Sequence, residues 1–413
     1  MIRALQKEPE KVQIYSTTPE IGWGNRVERL AINKILKDAG FDIIGENPAG
    51  FWIDIARRVH TSSSQNVDEA IEYTKNSAQL RDSIKTKPFI SSLERFIKNA
   101  LKNNPRAHFF LTPQNMMGEA ATRVSINGRK FTVIMVLPDA MGKLSPYRKP
   151  TEAQRNINYL VWNRNAYEIM KSEHGLEYVQ LIYPVDPQKG FQELSTHKLK
   201  ELGFTEIFEQ ENVCVIKLSG GGGDAHFISA IIESLWNKSK VRSIVFPGQQ
   251  VTQNKIIDKV EGNSRKIVKS LDEEAYYNVT AHMQPDSQMV LLQPSEQVKY
   301  MFVRSMHGQR LRVAWLPPKG DQEKISLINY ILIASKQGII STICLPQKHH
   351  DYLHGELKHA GFIQGIDYQL IEPENIKKEH FTLAPSWEID ESRYSEPRLS
   401  VEQAIRNILA GRG

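Results

Sequence analysis

Four consecutive glycines, Gly220, Gly221, Gly222 and Gly223, stand between an apolar strand pattern at 213–218 and a helical pattern that opens at or just after Asp224. Few arrangements accommodate that order. Glycine takes positive φ without steric cost and lets main chain approach a ligand closely. The helix that follows presents unpaired N–H groups and the positive end of its dipole, which together favour a phosphate. Ser219 and Asp224 flank the glycines and belong to the same candidate anion cradle. The spacing fits neither GxGxxG with its downstream acid nor GxxxxGK[ST], so neither a dinucleotide fingerprint nor a P-loop follows from it. A tight turn without a ligand is the competing reading of the same residues.

The rest of the chain alternates apolar strands with amphipathic helices, which predicts an α/β protein with parallel sheets. Strands are expected at 12–16, 41–45, 107–111, 131–137, 159–162 and 178–183 in the first half. A helix at 26–39 carries Val27, Leu30, Ala31, Ile35 and Leu36 on one face and ends at Gly40 as a C-cap would. Residues 60–80 read as a polar, Ser-rich connection followed by a helix, and 165–173 as a further helix. A second run of strands is expected at 213–218, 243–246, 289–293, 311–316 and 340–345, with helices at 325–336 and 352–360. The polar stretch before Val213 predicts a boundary, giving domains of 1–210 and 211–395 and a closing segment of 396–413 whose helix at 401–409 packs back on the first domain. Two strand–loop–helix units, one in each half, suggest an enzyme that holds a nucleotide between its domains.

At 413 residues, with 40% hydrophobic and 24% charged residues, the chain has enough apolar content for two ordinary cores. Nothing at the N-terminus reads as a signal peptide, and no apolar stretch reaches membrane-spanning length. The two cysteines, Cys214 and Cys344, lie in apolar strand patterns and read as buried thiols rather than a disulfide, pointing to a reducing, cytoplasmic address. Net charge is +6. Without a basic arm or aromatic–basic alternation, a nucleic-acid partner is not expected. Attraction to anionic substrates or peripheral contact with a membrane surface is left open.

The loop Ile21-Gly22-Trp23-Gly24-Asn25-Arg26-Val27-Glu28-Arg29-Leu30 resembles the Ile-Gly-x-Gly-His-x-x-Arg-x-Leu stretch after the first strand of GT-B glycosyltransferases and the related UDP-sugar hydrolases. Ile21, Gly22, Gly24 and Leu30 match in register. Asn25 stands where the family often has His, and Arg29 falls one residue late. In the second half, Ser219–Asp224 occupies the place of the family's diphosphate loop. Lys319 lies in the loop before a helix, and Asn329 takes the position of a ribose-gripping Glu. The segment His349-His350-Asp351 resembles the start of the family's donor-sugar motif.

The resemblance implies two Rossmann-like domains facing across a cleft. It implies sugar transfer from a nucleotide-diphosphate-sugar, as co-substrate rather than cofactor, to a small-molecule, glycan or protein acceptor. Ser219 to Asp224, Lys319, Asn329, His350 and Asp351 would then hold the donor. Asn25, Arg29 and Asp139 would work at the reacting end, Asp139 because it follows the strand at 131–137. Asn163-Arg164 follows another strand end and reads the same way more weakly. Asn25 orients a hydroxyl or phosphate but accepts no proton at neutral pH, so a base would come from elsewhere, such as Glu20, Glu28 or Asp139, unless the reaction relies on the leaving diphosphate or the site binds without turnover. His350 and His354 share a helical face, yet Asp351 replaces the glutamate of HExxH, so no metal is expected. A nucleotide-sugar hydrolase or epimerase, or an inactive binding protein of the same plan, shares these features.

Overall fold

The computed structural model describes residues 12–19, 23–51, 53–54, 87–137, 151–185, 197, 213–217, 225–246, 289–291, 312–313, 327, 331, 334–335, 338–359, 361–380, 382–383 and 396–411. The first half is built on β1 (Gln13–Ser16), α1 (Trp23–Asp38), β2 (Asp42–Ile44), α2 (Lys87–Asn103), β3 (Phe109–Thr112) and α3 (Asn115–Arg123). It continues with β4 (Thr132–Leu137), the short α4 (Glu152–Arg155), β5 (Ile157–Val161), α5 (Arg164–Glu168) and β6 (Val179–Leu181). The six strands form one sheet in the order β2-β1-β3-β4-β5-β6, and every pairing is parallel. The expected α/β class with parallel sheets is thus what the chain adopts.

Both faces of this sheet are covered. Ile14, Leu111, Ile134, Val136, Leu160 and Trp162 belong to one buried cluster. Their alternating neighbours Tyr15, Phe110, Val133, Met135, Tyr159 and Val161 belong to another. Two buried faces explain why these strands read as continuous apolar runs instead of alternating ones. Helix α2 packs on the second face through Phe89, Leu93, Ile97, Ala100 and Leu101, a spacing of three and four that places them on one stripe. Each of the larger side chains contributes about 1.5–3 kcal/mol of burial.

Three helix ends share one device. Gly40 has φ +91°, and the amides of Gly40 and Phe41 donate to the carbonyls of Lys37 and Leu36. The same pair of bonds recurs at Gly361 with Phe362 and at Gly338 with Ile339. This is the Schellman closure, and after Gly40 and Gly338 it leads within three residues into the next strand. The hairpin before β4 uses Asn127 and Gly128, both at positive φ, with Ile126 and Arg129 exchanging backbone bonds, as a two-residue I′ turn requires. Arg129 reaches back from it to the carbonyls of Leu101, Asn104 and Ala107 and closes the end of α2.

The second half contains β7 (Val213–Lys217), α6 (Ala225–Ser239), β8 (Arg242–Phe246), β9 (Met289–Leu291), β10 (Arg312–Val313), β11 (Ser341–Cys344), α7 (His350–His359), β12 (Tyr368–Ile371) and β13 (Thr382–Leu383). Strands β7, β8 and β9 pair in parallel, as do β11 and β12, while β10 and β13 are antiparallel. Leu327, Ile331 and Ala334 are helical and fully buried, in the helix expected at 325–336. Cys344 is a buried free thiol; the side chain of Cys214 lies outside the described residues.

A loop at 373–380 is tied to α6. Ser234 donates to the carbonyls of Glu374 and Ile376, and Ser239 accepts from the Lys378 amide. His380 closes the loop by accepting the Lys377 amide on Nδ1 at 2.9 Å. Burial first, then the cations Lys377 and Lys238, hold its pKa below the ordinary imidazole value, against the raising effect of Glu379. The folded state therefore binds this proton less readily than the unfolded chain, and the bond is a stabilising one only while the ring is neutral. Stability should be fully present above about pH 6.5 and fall as pH drops below it toward the lowered folded pKa. An NMR titration of the His380 ring with a midpoint at or above the free-imidazole value would refute this.

The chain ends with α8 (Val401–Leu409), which packs on α1 and β5. Ser400 and Gln403 form its capping box. Just before it, Leu399 bonds in parallel fashion beside β6, its amide donating to Leu181 and its carbonyl accepting from Tyr183.

Candidate active site at the carboxyl edge of the sheets

The strand order places β1 between β2 and β3, so the chain leaves β1 to one side and later returns on the other. Open parallel sheets form a crevice at such a reversal, outside the carboxyl ends of the strands. Ser16, Thr17 and Thr18 end β1 at this point and are all buried. Ser16 Oγ donates to Asn33 Oδ1 at 2.6 Å, Thr17 Oγ1 donates to the Glu46 carbonyl, and the Thr17 amide donates to Leu111 at the end of β3. Tyr15 accepts the Glu46 amide on its hydroxyl. Burial is the largest cause that raises its pKa, opposed by that amide, and keeps the phenol neutral.

Arg29 is drawn into this network. Its Nη1 donates to the Ser16 carbonyl at 3.2 Å, so the arginine on the second turn of α1 addresses the carboxyl end of β1. Neighbouring Glu28 is buried as well. Helix α1 begins at Trp23 rather than at residue 26. Gly24 and Asn25 therefore sit within its first turn. The Asn25 side chain lies outside the described residues.

Further along the same edge, Thr112 ends β3 fully buried and its Oγ1 accepts the Gln114 amide. Gln114 in turn caps α3 by accepting the Met117 amide at 2.7 Å. Helix α3 escaped the sequence reading because Gln is an uncommon cap and Gly118 interrupts the helical pattern. That glycine is where a Cβ would come within 3.0 Å of the Met135 sulfur. At the end of β5, Asn163 Oδ1 accepts the Ala166 amide and so caps α5, while Arg164 pairs with Glu168 on the helix surface. These two residues are thus spent on helix geometry. Two polar atoms at this edge are buried and hold no hydrogen bond: Asn115 Oδ1 and Trp162 Nε1.

In the second half, β7 ends at Lys217 and α6 begins at Ala225. The strand and the helix stand where the glycine run requires them. Ser219, Gly220, Gly221, Gly222, Gly223 and Asp224 themselves lie outside the described residues, as do Asp139, Lys319 and Asn329. Around β11, Leu345 and Pro346 lead through a single 3₁₀ turn into α7. His350 is half-buried and its Nε2 meets the Leu345 carbonyl at 3.0 Å, closing that turn. Asp351 is exposed beside it in the first turn of the helix. His354 has its Nδ1 2.8 Å from the hydroxyl of the fully buried Tyr368. Burial raises the Tyr368 pKa, and Asp367 adds to it. His350 and His354 thus bond to different partners rather than converging. Among the described residues no group of three His, Cys, Asp or Glu is placed to hold a metal, and no helix is long and apolar enough to cross a membrane.

No protein-family model matches the chain, and no curated protein sequence does. Among solved structures it is similar to S. aureus MnaA determined with UDP, at 10% identity over 81% of this chain and 77% of that one, TM-score 0.44. It is also similar to a putative UDP-N-acetylglucosamine 2-epimerase from Listeria monocytogenes, at 12% identity over 97% of this chain and 96% of that one, TM-score 0.47. Neither likeness is close enough to fix an activity.

Proposed function

We propose that this chain is an enzyme of nucleotide-diphosphate-sugars that transfers the sugar to an acceptor. One observation carries the reading: a parallel strand, Val213–Lys217, runs into a stretch with four successive glycines and then into the fifteen-residue helix Ala225–Ser239. Main-chain amides at that junction and the positive helix end would neutralise the departing diphosphate. Lys319 and Asn329 would add contacts to phosphate and ribose, and His350 and Asp351 to the sugar. The carboxyl edge of the first sheet, with Asn25, Arg29 and Asp139, would align the acceptor hydroxyl.

Thermal shift and isothermal titration with UDP-, GDP- and TDP-sugars test it, because a ligand that binds only the folded state raises the melting temperature. UDP comes first in the screen, being the nucleotide held by one similar protein. Gly221→Val and Gly222→Val should each weaken binding on the order of 10- to 100-fold, since a branched Cβ bars both the left-handed backbone and the close approach. Their unfolding midpoints without ligand should stay near that of the parent. If both variants bind normally, the glycine run is a turn and the assignment fails. Turnover without any added acceptor would instead identify a hydrolase or an epimerase. Tight binding without product would identify a binding protein.

A further inference from the structure

Residues 87–132 contain eight Lys and Arg against two Glu, a surplus of six. The whole chain carries net +6, so outside this segment the charges balance. Within it, Arg129 is committed to the end of α2, and Arg123 lies beside both acids, Glu94 and Glu119. Lys87, Arg95, Lys98, Lys102, Arg106 and Lys130 are left exposed, and no carboxylate among the described residues pairs with them.

Four of these six lie on α2. At 100° per residue, Lys87, Arg95, Lys98 and Lys102 fall within an arc of roughly 80°, opposite the buried stripe of Phe89, Leu93, Ile97 and Ala100. The helix runs about 25 Å. Arg106 and Lys130 prolong the row into the loops that precede β3 and β4. That end of the row lies at the amino edge of the sheet and Lys87 at the far end of the helix, so the row runs along the flank of the sheet instead of ringing its carboxyl edge.

We propose that this outer flank of α2 docks the protein on an anionic lipid bilayer. A flat, straight row of point charges suits a planar field of phosphate headgroups, which asks for no shape complementarity. Single-stranded nucleic acid asks for aromatic platforms beside the cations, and the exposed positions of α2 hold Ser91, Asn99 and Asn103 instead. The apolar stripe of α2 is already spent on the core, so attachment is electrostatic and reversible rather than inserted. The carboxyl edge would stay open while the flank is engaged.

Vesicle flotation of the full chain decides it. Binding is expected to equimolar phosphatidylcholine–phosphatidylglycerol vesicles at low salt, to be lost at high salt, and to be absent with phosphatidylcholine alone. The triple variant Arg95→Gln, Lys98→Gln, Lys102→Gln keeps helix propensity. It should bind anionic vesicles on the order of 100-fold more weakly, at about fivefold per charge, with an unchanged unfolding midpoint. Lys37→Gln with Lys358→Gln, elsewhere on the surface, should bind like the parent. Failure to float with anionic vesicles, equal binding to neutral ones, a triple variant that floats like the parent, or displacement from vesicles by a DNA duplex at equal phosphate would each overturn the proposal.

Discussion

Gly45→Ala should destabilise the fold by about 3–5 kcal/mol, because one added methyl meets main chain that has nowhere to go. Gly45 follows β2 with φ +135°, and a Cβ there would stand 2.2 Å from the Ser16 carbonyl oxygen. That oxygen already accepts from Arg29, and the hydroxyl of Ser16 is held by Asn33. The next residue, Glu46, is held on both sides by Thr17 and Tyr15. Neither partner in the clash is a flexible side-chain end. Gly40→Ala isolates the backbone contribution: it sits at φ +91° with nothing within 4 Å of its would-be Cβ, so left-handed strain alone remains, about 1–2 kcal/mol. Urea unfolding of both variants gives the comparison. Equal losses at the two positions would mean that the contact with Ser16 carries no cost.

Arg398→Ala should cost about 3–5 kcal/mol, the range expected when one member of a buried ion pair is removed. The Arg398 side chain is 4% exposed. Its guanidinium donates to the carbonyls of Trp162 and Ile182, the latter at 3.0 Å, and to Glu396. One side chain thus ties the closing segment to the ends of β5 and β6. Without it, Glu396 loses the Arg398 contact and two strand-end carbonyls lose a charge-assisted donor. The outer tie, Arg406 to the Ala39 carbonyl and over the Phe41 ring, is exposed and weaker. Amide hydrogen exchange at Leu399 and along α8 should rise well before exchange in β3 and β4, marking local release of the segment. Unchanged protection at Leu399 would show that α8's apolar face alone holds the tail.

How far each element was legible follows from the kind of signal it carries. Helix α1 was readable because its apolar period and Gly40 agree, although its start lay three residues early: capping at that end depends on backbone geometry that periodicity does not encode. The strands of the first sheet were readable because burial on both faces leaves continuous apolar runs. Helix α3 was missed, with its glutamine cap and its glycine set against Met135. So was β12, whose Tyr368–Ile371 run is only four residues long and mostly half-buried. Of the candidate site, Arg29 was named from a motif, but its partner, the Ser16 carbonyl, is thirteen residues away across a turn. The cluster of Ser16, Thr17 and Thr18 went unremarked because three small polar residues after a strand look like any loop until a sheet reversal buries them.

The order of residues alone settled the local choices: which runs pair as strands, which form helices, where glycine must sit, and that the layers alternate α with β. Those follow from side-chain period and backbone sterics within a few residues of each position. Packing alone decided that β1 lies between β2 and β3, that Gly45 abuts Ser16, and that Arg398 anchors the tail to β5 and β6. Each of these depends on contacts between residues far apart in the chain, and no local pattern carries that information.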